Sequence, residues 1–169
     1  ADKVVNAMNA ETILFGPDAN LAWFAEQRSS KKTTPIPKNG FCYVHKSINK
    51  GHVLQQKQLH PKAKVLVHPE CNPEVQQVAD FIGSTSQMLK IVKEQLANEW
   101  IVGTEKEMCF RLQQENPEKS FFPASETAEC KQMKKTTLQA VFETLTEEKN
   151  EVFVPEEITG KAVNAIQKM

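Results

Sequence analysis

The chain has 169 residues, of which 40% are hydrophobic and 25% charged, values typical of a soluble globular protein with one domain or two small ones. Basic and acidic residues number 21 each, so the sequence lacks the positive excess usual in nucleic-acid-binding and membrane-surface proteins. Because it has no apolar run of about 18 residues and no signal-peptide pattern, we expect a cytoplasmic protein whose cysteines are free thiols or metal ligands.

Short β-branched or aromatic runs alternate with amphipathic segments along the chain. This alternation predicts an α/β fold in which helices cover a parallel sheet of short, buried strands. The predicted strands are residues 12–16, 34–37, 64–68, 80–83, 99–103, 120–123 and 151–155. The predicted helices are residues 20–27, 73–78, 85–96, 105–115 and 136–145.

The sequence also contains an internal repeat at an offset of 87 residues, which places residues 13–16 on 100–103 and residues 64–67 on 151–154. The offset holds from Lys3 to Val154 with one slip. We therefore predict two copies of one unit, residues 1–87 and 88–169.

The start of the chain differs from the start of the second copy. A strand and a helix start precede Met88, but Ala1, its counterpart, has nothing before it and opens a helix without a cap. We expect the first copy to lack its first strand and part of its first helical turn, and residues ahead of Ala1 to be missing from this chain.

Two cysteines, Cys42 and Cys130, occupy nearly equivalent points of the two copies. If the copies pack about a rotation axis, the two thiols could share one metal centre. Spacing alone favours the alternative, in which both are small buried apolar side chains. Cys109 stands where the first copy has Ala22, and we predict it to lie in the core.

A second cluster combines Cys42 and His45 with His68 and Cys71, a set that could bind zinc tetrahedrally. Against zinc, a helix and a strand are expected between His45 and His68, whereas small zinc modules usually place their ligands on tight loops. Alternatively, His68 and Glu70 form a substrate site at the carboxyl end of strand 64–68, where open parallel sheets bind ligands. A lone histidine there would more often be structural.

The turn after strand 80–83 carries Ser84 and Thr85. Such residues commonly cap a helix, and that is the simpler interpretation. The same hydroxyls and free backbone N–H groups could also bind a carboxylate or phosphate. The turn matches neither the P-loop nor the dinucleotide-binding pattern.

Five sequence blocks follow one another along the chain. They are GFCYVH (40–45), HPEC (68–71), ADFIGSTS (79–86), IVGTE (101–105), and FPASE (122–126) leading through Cys130 to MKKTTL (133–138). In this order, and over essentially the whole chain, they resemble the quinolinate synthase family.

The resemblance implies three homologous α/β/α domains with short parallel sheets, arranged with pseudo-threefold symmetry around a [4Fe-4S] cluster to which each domain gives one cysteine. Residues 1–87 and 88–169 would be the second and third domains, and the first domain would be a missing partner. Cys42 and Cys130 would be cluster ligands, and an open iron would act as a Lewis acid.

The family is a group of transferases that condense iminoaspartate with dihydroxyacetone phosphate to quinolinate in de novo NAD biosynthesis. Carried over by motif position, His68 and Glu70 would contact substrate, with Glu70 as general acid/base. Ser84 and Thr85 would bind a carboxylate, and His45 would lie in the same cavity. No role is assigned to Cys71.

Two thiolates rarely hold a cubane cluster, so we expect this chain alone to bind a cluster poorly and not to turn over. The alternative function is a non-catalytic two-domain α/β module with a structural zinc site at Cys42, His45, His68 and Cys71.

Overall fold

All six strands in the computed structural model, which describes residues 1–168, pair in parallel. Strands β1 (Thr12–Phe15) and β2 (Lys32–Pro35) form a two-stranded sheet. A four-stranded sheet has the order β4-β3-β5-β6 and consists of β3 (Lys64–Val67), β4 (Phe81–Ile82), β5 (Glu99–Gly103) and β6 (Ser120–Pro123). The predicted α/β class with short parallel sheets is confirmed.

The chain divides into two compact units, the first comprising Ala1–Glu129 and the second beginning at Cys130. The helices of the first unit are α1 (Asp2–Ala7), α2 (Ala19–Glu26), α3 (Tyr43–Ser47), α4 (Lys50–Leu59), α5 (Pro73–Gln76), α6 (Thr85–Glu94) and α7 (Met108–Glu115). The second unit contains a 3₁₀ turn (Met133–Lys135), α8 (Leu138–Glu147) and α9 (Glu156–Gln167). Over residues 1–168, no helix has the length and apolar character needed to cross a bilayer.

The main core lies on one face of the four-stranded sheet. It is formed by alternate strand residues packed against α6 and α7, namely Leu66, Trp100 and Val102 with Met88, Val92, Met108 and Leu112. The intervening residues Val65, Val67 and Ile101 are also fully buried. Since both faces of the sheet are covered, the strands read as continuous apolar runs rather than as alternating patterns.

The predicted strand at residues 151–155 is wrong. Val152 and Phe153 are 83% and 86% exposed, and the segment pairs with no strand in the described part of the chain. A strand needs a partner for its backbone N–H and C=O groups, and apolar composition alone does not supply one. The division at residue 87 stays a prediction, although the sheets group the strands differently: β3 joins β5 and β6 rather than β1 and β2.

A hydrogen-bonded carboxylate joins α2 to β2 in the smaller sheet. Glu26, the last residue of α2, accepts hydrogen bonds at Oε2 from the backbone N–H of Thr33 (2.6 Å) and from its hydroxyl (2.8 Å). These bonds, the backbone bond most of all, lower the pKa of Glu26. Its stabilising effect is therefore present above the unfolded-state pKa, about 4.3, and is lost as the pH falls through the folded-state pKa.

We expect Glu26→Gln to lower the free energy of unfolding by about 1 kcal/mol at pH 7, because glutamine keeps the shape but loses the charge-assisted bonds. The difference from wild type should be clearly smaller at pH 3, below the ordinary glutamate pKa of about 4.3. Urea unfolding at both pH values measures it, with the exposed Glu118→Gln as the matched control. An equal loss at both pH values would contradict the account.

Candidate functional site

The loop after β3 is tied to the end of β5. The His68 backbone N–H donates to the Gly103 carbonyl (2.9 Å), and the Cys71 thiol donates to the same oxygen (3.2 Å). Position 103 needs glycine for a different reason, the close packing of β5 against β3, since a Cβ would meet Val67 Cγ1 at 2.7 Å. From α2, Asn20 Nδ2 donates to the Glu70 carbonyl (2.9 Å). These bonds place His68 and Glu70 at the carboxyl end of the sheet.

His45 connects Glu70 to the end of β5 through both of its ring nitrogens. Nδ1 lies 3.0 Å from Glu70 Oε2, and Nε2 lies 2.9 Å from the hydroxyl of buried Thr104. Because a carboxylate can only accept, Nδ1 carries the donated proton, and in the neutral ring Nε2 accepts the Thr104 hydroxyl proton. The bond from His45 lowers the pKa of Glu70 although burial opposes it, so Glu70 is ionised at neutral pH.

His68 stacks on the His45 ring, with ring centres 4.2 Å apart and planes 6° from parallel. Burial, and then the electrostatic influence of the neighbouring His45, lower the pKa of His68 to about 4, so its ring is neutral at pH 7. Its Nδ1 accepts the Glu70 backbone N–H (3.2 Å), which puts the ring proton on Nε2. Nε2 has no protein partner among residues 1–168 and is available to donate to a ligand.

Cys42 directly precedes α3 and is fixed by a buried carboxylate that the sequence analysis did not identify. Asp18 Oδ1 accepts the Leu21 N–H (2.8 Å) and caps α2, while Oδ2 accepts the Cys42 backbone N–H (2.9 Å). Asp18 is only 4% exposed. The sequence signal was an aspartate just before a helix, which predicts a cap; its second partner, 24 residues away, had no local signal.

Two cavities meet at Glu70. One, of about 390 Å³, is lined by Cys42, Asp18 and Glu70, with Pro17, Pro37, Gly40 and Phe41. The other, of about 660 Å³, is lined by His68, Glu70 and Ser84, with Arg28 and Gln87 among its remaining residues. The larger cavity has a volume typical of small-molecule sites.

A possible set of metal-binding donor atoms comes from Cys42, His45 and Glu70, which all lie within 4.8 Å of one another. Across the described residues, His68 and Cys71 do not join this group, so the four-residue zinc arrangement is not formed. Burial raises the pKa of the Cys71 thiol to about 12, which disfavours the thiolate needed for metal binding.

The other predicted site residues are placed as follows. Ser84 is half-buried, caps α6 and donates its backbone N–H to Gln87 Oε1 (2.8 Å). Thr85 is exposed and does not line the larger cavity. Cys109 is half-buried and packs against the main core, and Cys130 is half-buried at the start of the second unit. The roles of Ser84, Thr85 and Cys130 stay predictions.

The chain matches the family model described as "Quinolinate synthetase A protein" over residues 1–169. It is 48% identical over 166 residues to a quinolinate synthase of Pyrococcus furiosus, which covers 98% of this chain and 54% of the relative. Over its whole length it is 44% identical to that of Methanocaldococcus jannaschii and 41% to that of Thermodesulfovibrio yellowstonii, covering 56% and 55% of them. The chain thus spans about half the length of these relatives.

Proposed function

The chain belongs to the quinolinate synthetase A protein family, and on that premise we propose that it supplies the substrate cavity and two cluster ligands of a quinolinate synthase. This enzyme would be a cytoplasmic transferase that condenses iminoaspartate with dihydroxyacetone phosphate in de novo NAD biosynthesis. The observation that carries the proposal is the position of Glu70, which lines the cavity containing Cys42 and the cavity containing His68 and Ser84.

Glu70 and His68 have complementary proton chemistry. The condensation must remove a proton from a carbon beside a C=N or C=O group and return protons to departing hydroxyl groups. Ionised Glu70 accepts the first proton at its carboxylate and then returns it as a general acid. His68, neutral with its proton on Nε2, donates a hydrogen bond to the oxygen on which charge develops. His45, fixed by Thr104, keeps the Glu70 carboxylate in place.

Ser84 would bind a substrate carboxylate where α6 begins, because its side chain lines the same cavity as His68 and Glu70. Thr85 would act with it if the substrate extends past the cavity edge, since Thr85 itself is exposed. Both roles rest on motif position and on the exposed start of a ten-residue helix.

In this proposal Cys42 and Cys130 would each give a thiolate to a [4Fe-4S] cluster, as their motif positions imply. Burial raises the pKa of both Cys71 and Cys109 to about 12, which makes them poor thiolate ligands. Cys42 and Cys130 are only partly buried, and Cys42 lines a cavity. A third cysteine would come from a further domain of the family. When bound, the cluster would supply an iron with an open position that polarises a substrate oxygen or nitrogen.

Metal analysis of a chimera tests this proposal. The chimera is the Pyrococcus furiosus relative with its matched region, 54% of that protein, replaced by this chain. Purified without oxygen, it should contain iron and acid-labile sulfide in equal amounts. Cys42→Ser and Cys130→Ser should each lose most of both, whereas Cys109→Ser, the matched control, should keep them.

The second candidate is a structural zinc site, favoured by the proximity of Cys42, His45 and Glu70. Stoichiometric zinc without labile sulfide, retained in the Cys130→Ser chimera, would overturn the cluster proposal and support this alternative. Cys130 discriminates because the zinc site does not use it.

A further inference from the structure

The larger cavity contains an arginine that the sequence analysis did not consider. Arg28 lies two residues after the end of α2, and its guanidinium sits 3.9 Å above the centre of the Phe24 ring. Both residues line the cavity of about 660 Å³ together with His68, Glu70 and Ser84. Stacking on an aromatic ring holds the guanidinium plane in one orientation and leaves its N–H donors at the edge free.

The charge of Arg28 has no acidic partner within residues 1–168. Asp2 and Glu70, the acidic residues of this cavity, form no ion pair with Arg28, and Glu70 is bonded to His45. The contrast is with Arg111, the only other arginine in the sequence. On the exposed surface of α7, its Nε lies 3.3 Å from Glu115 Oε1.

An anionic substrate needs such a charge in this cavity. Ionised Glu70 repels a carboxylate or phosphate, and that repulsion is stronger in a partly buried site than in water. Iminoaspartate carries two carboxylates and dihydroxyacetone phosphate carries a phosphate, so every substrate of the proposed reaction is an anion. A guanidinium fork can hold two oxygens of either group.

We infer that Arg28, held against Phe24, binds a carboxylate or phosphate oxyanion of the substrate in this cavity and sets its preference for anions. This inference rests on the proposed function, because it takes the larger cavity as the substrate site. Arg28 and Ser84 line the same cavity, so two anionic groups of one ligand could be held at separate points.

Calorimetric titration of the chimera with quinolinate, and separately with inorganic phosphate, tests the inference. Arg28→Gln should weaken binding of at least one anion by about 10- to 100-fold, the loss expected for a charge-assisted bidentate contact. Arg111→Gln, the matched control, should bind as wild type does. Phe24→Leu, which removes the ring but keeps the charge, should weaken binding by a smaller factor. Loss for quinolinate alone identifies a carboxylate subsite, and loss for phosphate alone a phosphate subsite.

Two results would overturn the inference, and only one of them would also count against the proposed function. If Arg28→Gln binds both anions as tightly as wild type, the role of Arg28 is wrong and the cavity remains a substrate site. If the chimera without substitutions binds neither anion, the cavity is not an anion site, and this half of the proposed function fails together with Arg28. Thermal unfolding of each variant shows whether the substitution leaves the fold intact.

Discussion

Replacing Glu70 with glutamine in the chimera is expected to lower kcat by about 10²- to 10⁴-fold, the usual contribution of a general acid–base group. Glutamine has nearly the same shape, but it cannot accept a proton from carbon at neutral pH. The carboxylate it replaces is the one that His45 Nδ1 contacts at 3.0 Å. The measurement is steady-state formation of quinolinate from iminoaspartate and dihydroxyacetone phosphate without oxygen.

Glu74→Gln is the matched control, because Glu74 is exposed and lies in α5, four residues further along the chain. Its kcat should equal that of the unmodified chimera. A Glu70→Gln enzyme that keeps its kcat and changes only its KM would show that Glu70 binds substrate without moving protons. That result would contradict the assigned chemistry while leaving the cavity as the site.

Replacing Trp100 with alanine is expected to lower the free energy of unfolding by about 3 to 5 kcal/mol, the range for large aromatic residues in cores. Trp100 is fully buried between α6, α7 and the four-stranded sheet. Its indole N–H donates to the Ala97 carbonyl (3.0 Å), and Phe81 packs against it with ring centres 5.6 Å apart. Since domains are stable by only about 5–15 kcal/mol, this loss is a large fraction of the total.

Trp23→Ala provides the control for Trp100→Ala, because Trp23 is the only other tryptophan in the chain and is half-buried. Urea unfolding followed by far-ultraviolet circular dichroism suits both variants, since tryptophan fluorescence changes with each substitution. We expect a clearly smaller loss for Trp23→Ala. Equal losses, or a loss below about 1 kcal/mol for Trp100→Ala, would show that the core does not depend on α6 and α7 packing as described.

The main sheet was predictable because its strands are short apolar runs bounded by turn residues. Strands β5 and β6 have the predicted bounds, and β3 and β4 differ from theirs by one or two residues. Strand β2 begins two residues earlier than predicted, because pairing with β1 sets Thr12 opposite Lys32. That register depends on a partner strand 20 positions away, which local composition does not report.

The sequence analysis gave no bounds for the helix it expected between His45 and His68, which is α4, and it did not expect α9. Both helices have weak local signals. Helix α4 buries only Val53, and its two leucines, Leu54 and Leu59, are exposed, so no continuous apolar stripe marks it. Its visible signal is the cap Asn49, which accepts the His52 N–H at 3.0 Å. Helix α9 has no buried residue and begins just after Pro155, the last residue of the segment that had been predicted as a strand. The residues Val152, Phe153 and Val154 favoured the prediction of a strand, although Pro155 favours the start of a helix.

For the site, sequence motifs indicated the reactive residues but not their supports. His45, His68 and Glu70 came from short motifs, and the structure brings all three into contact. Thr104 lies in the IVGTE block, but nothing in the sequence assigned it a role. No role was predicted for Asp18 or Arg28. Their partners, His45 for Thr104 and Cys42 for Asp18, lie 59 and 24 residues away. Only the folded chain shows such pairs.

We propose that this chain forms the substrate-facing part of a quinolinate synthase. Quinolinate production by the chimera, reconstituted with iron and sulfide and supplied with iminoaspartate and dihydroxyacetone phosphate, tests it most directly. We expect quinolinate formation that Glu70→Gln nearly abolishes and Glu74→Gln leaves unchanged. A folded chimera with its full complement of iron and sulfide that forms no quinolinate would contradict it.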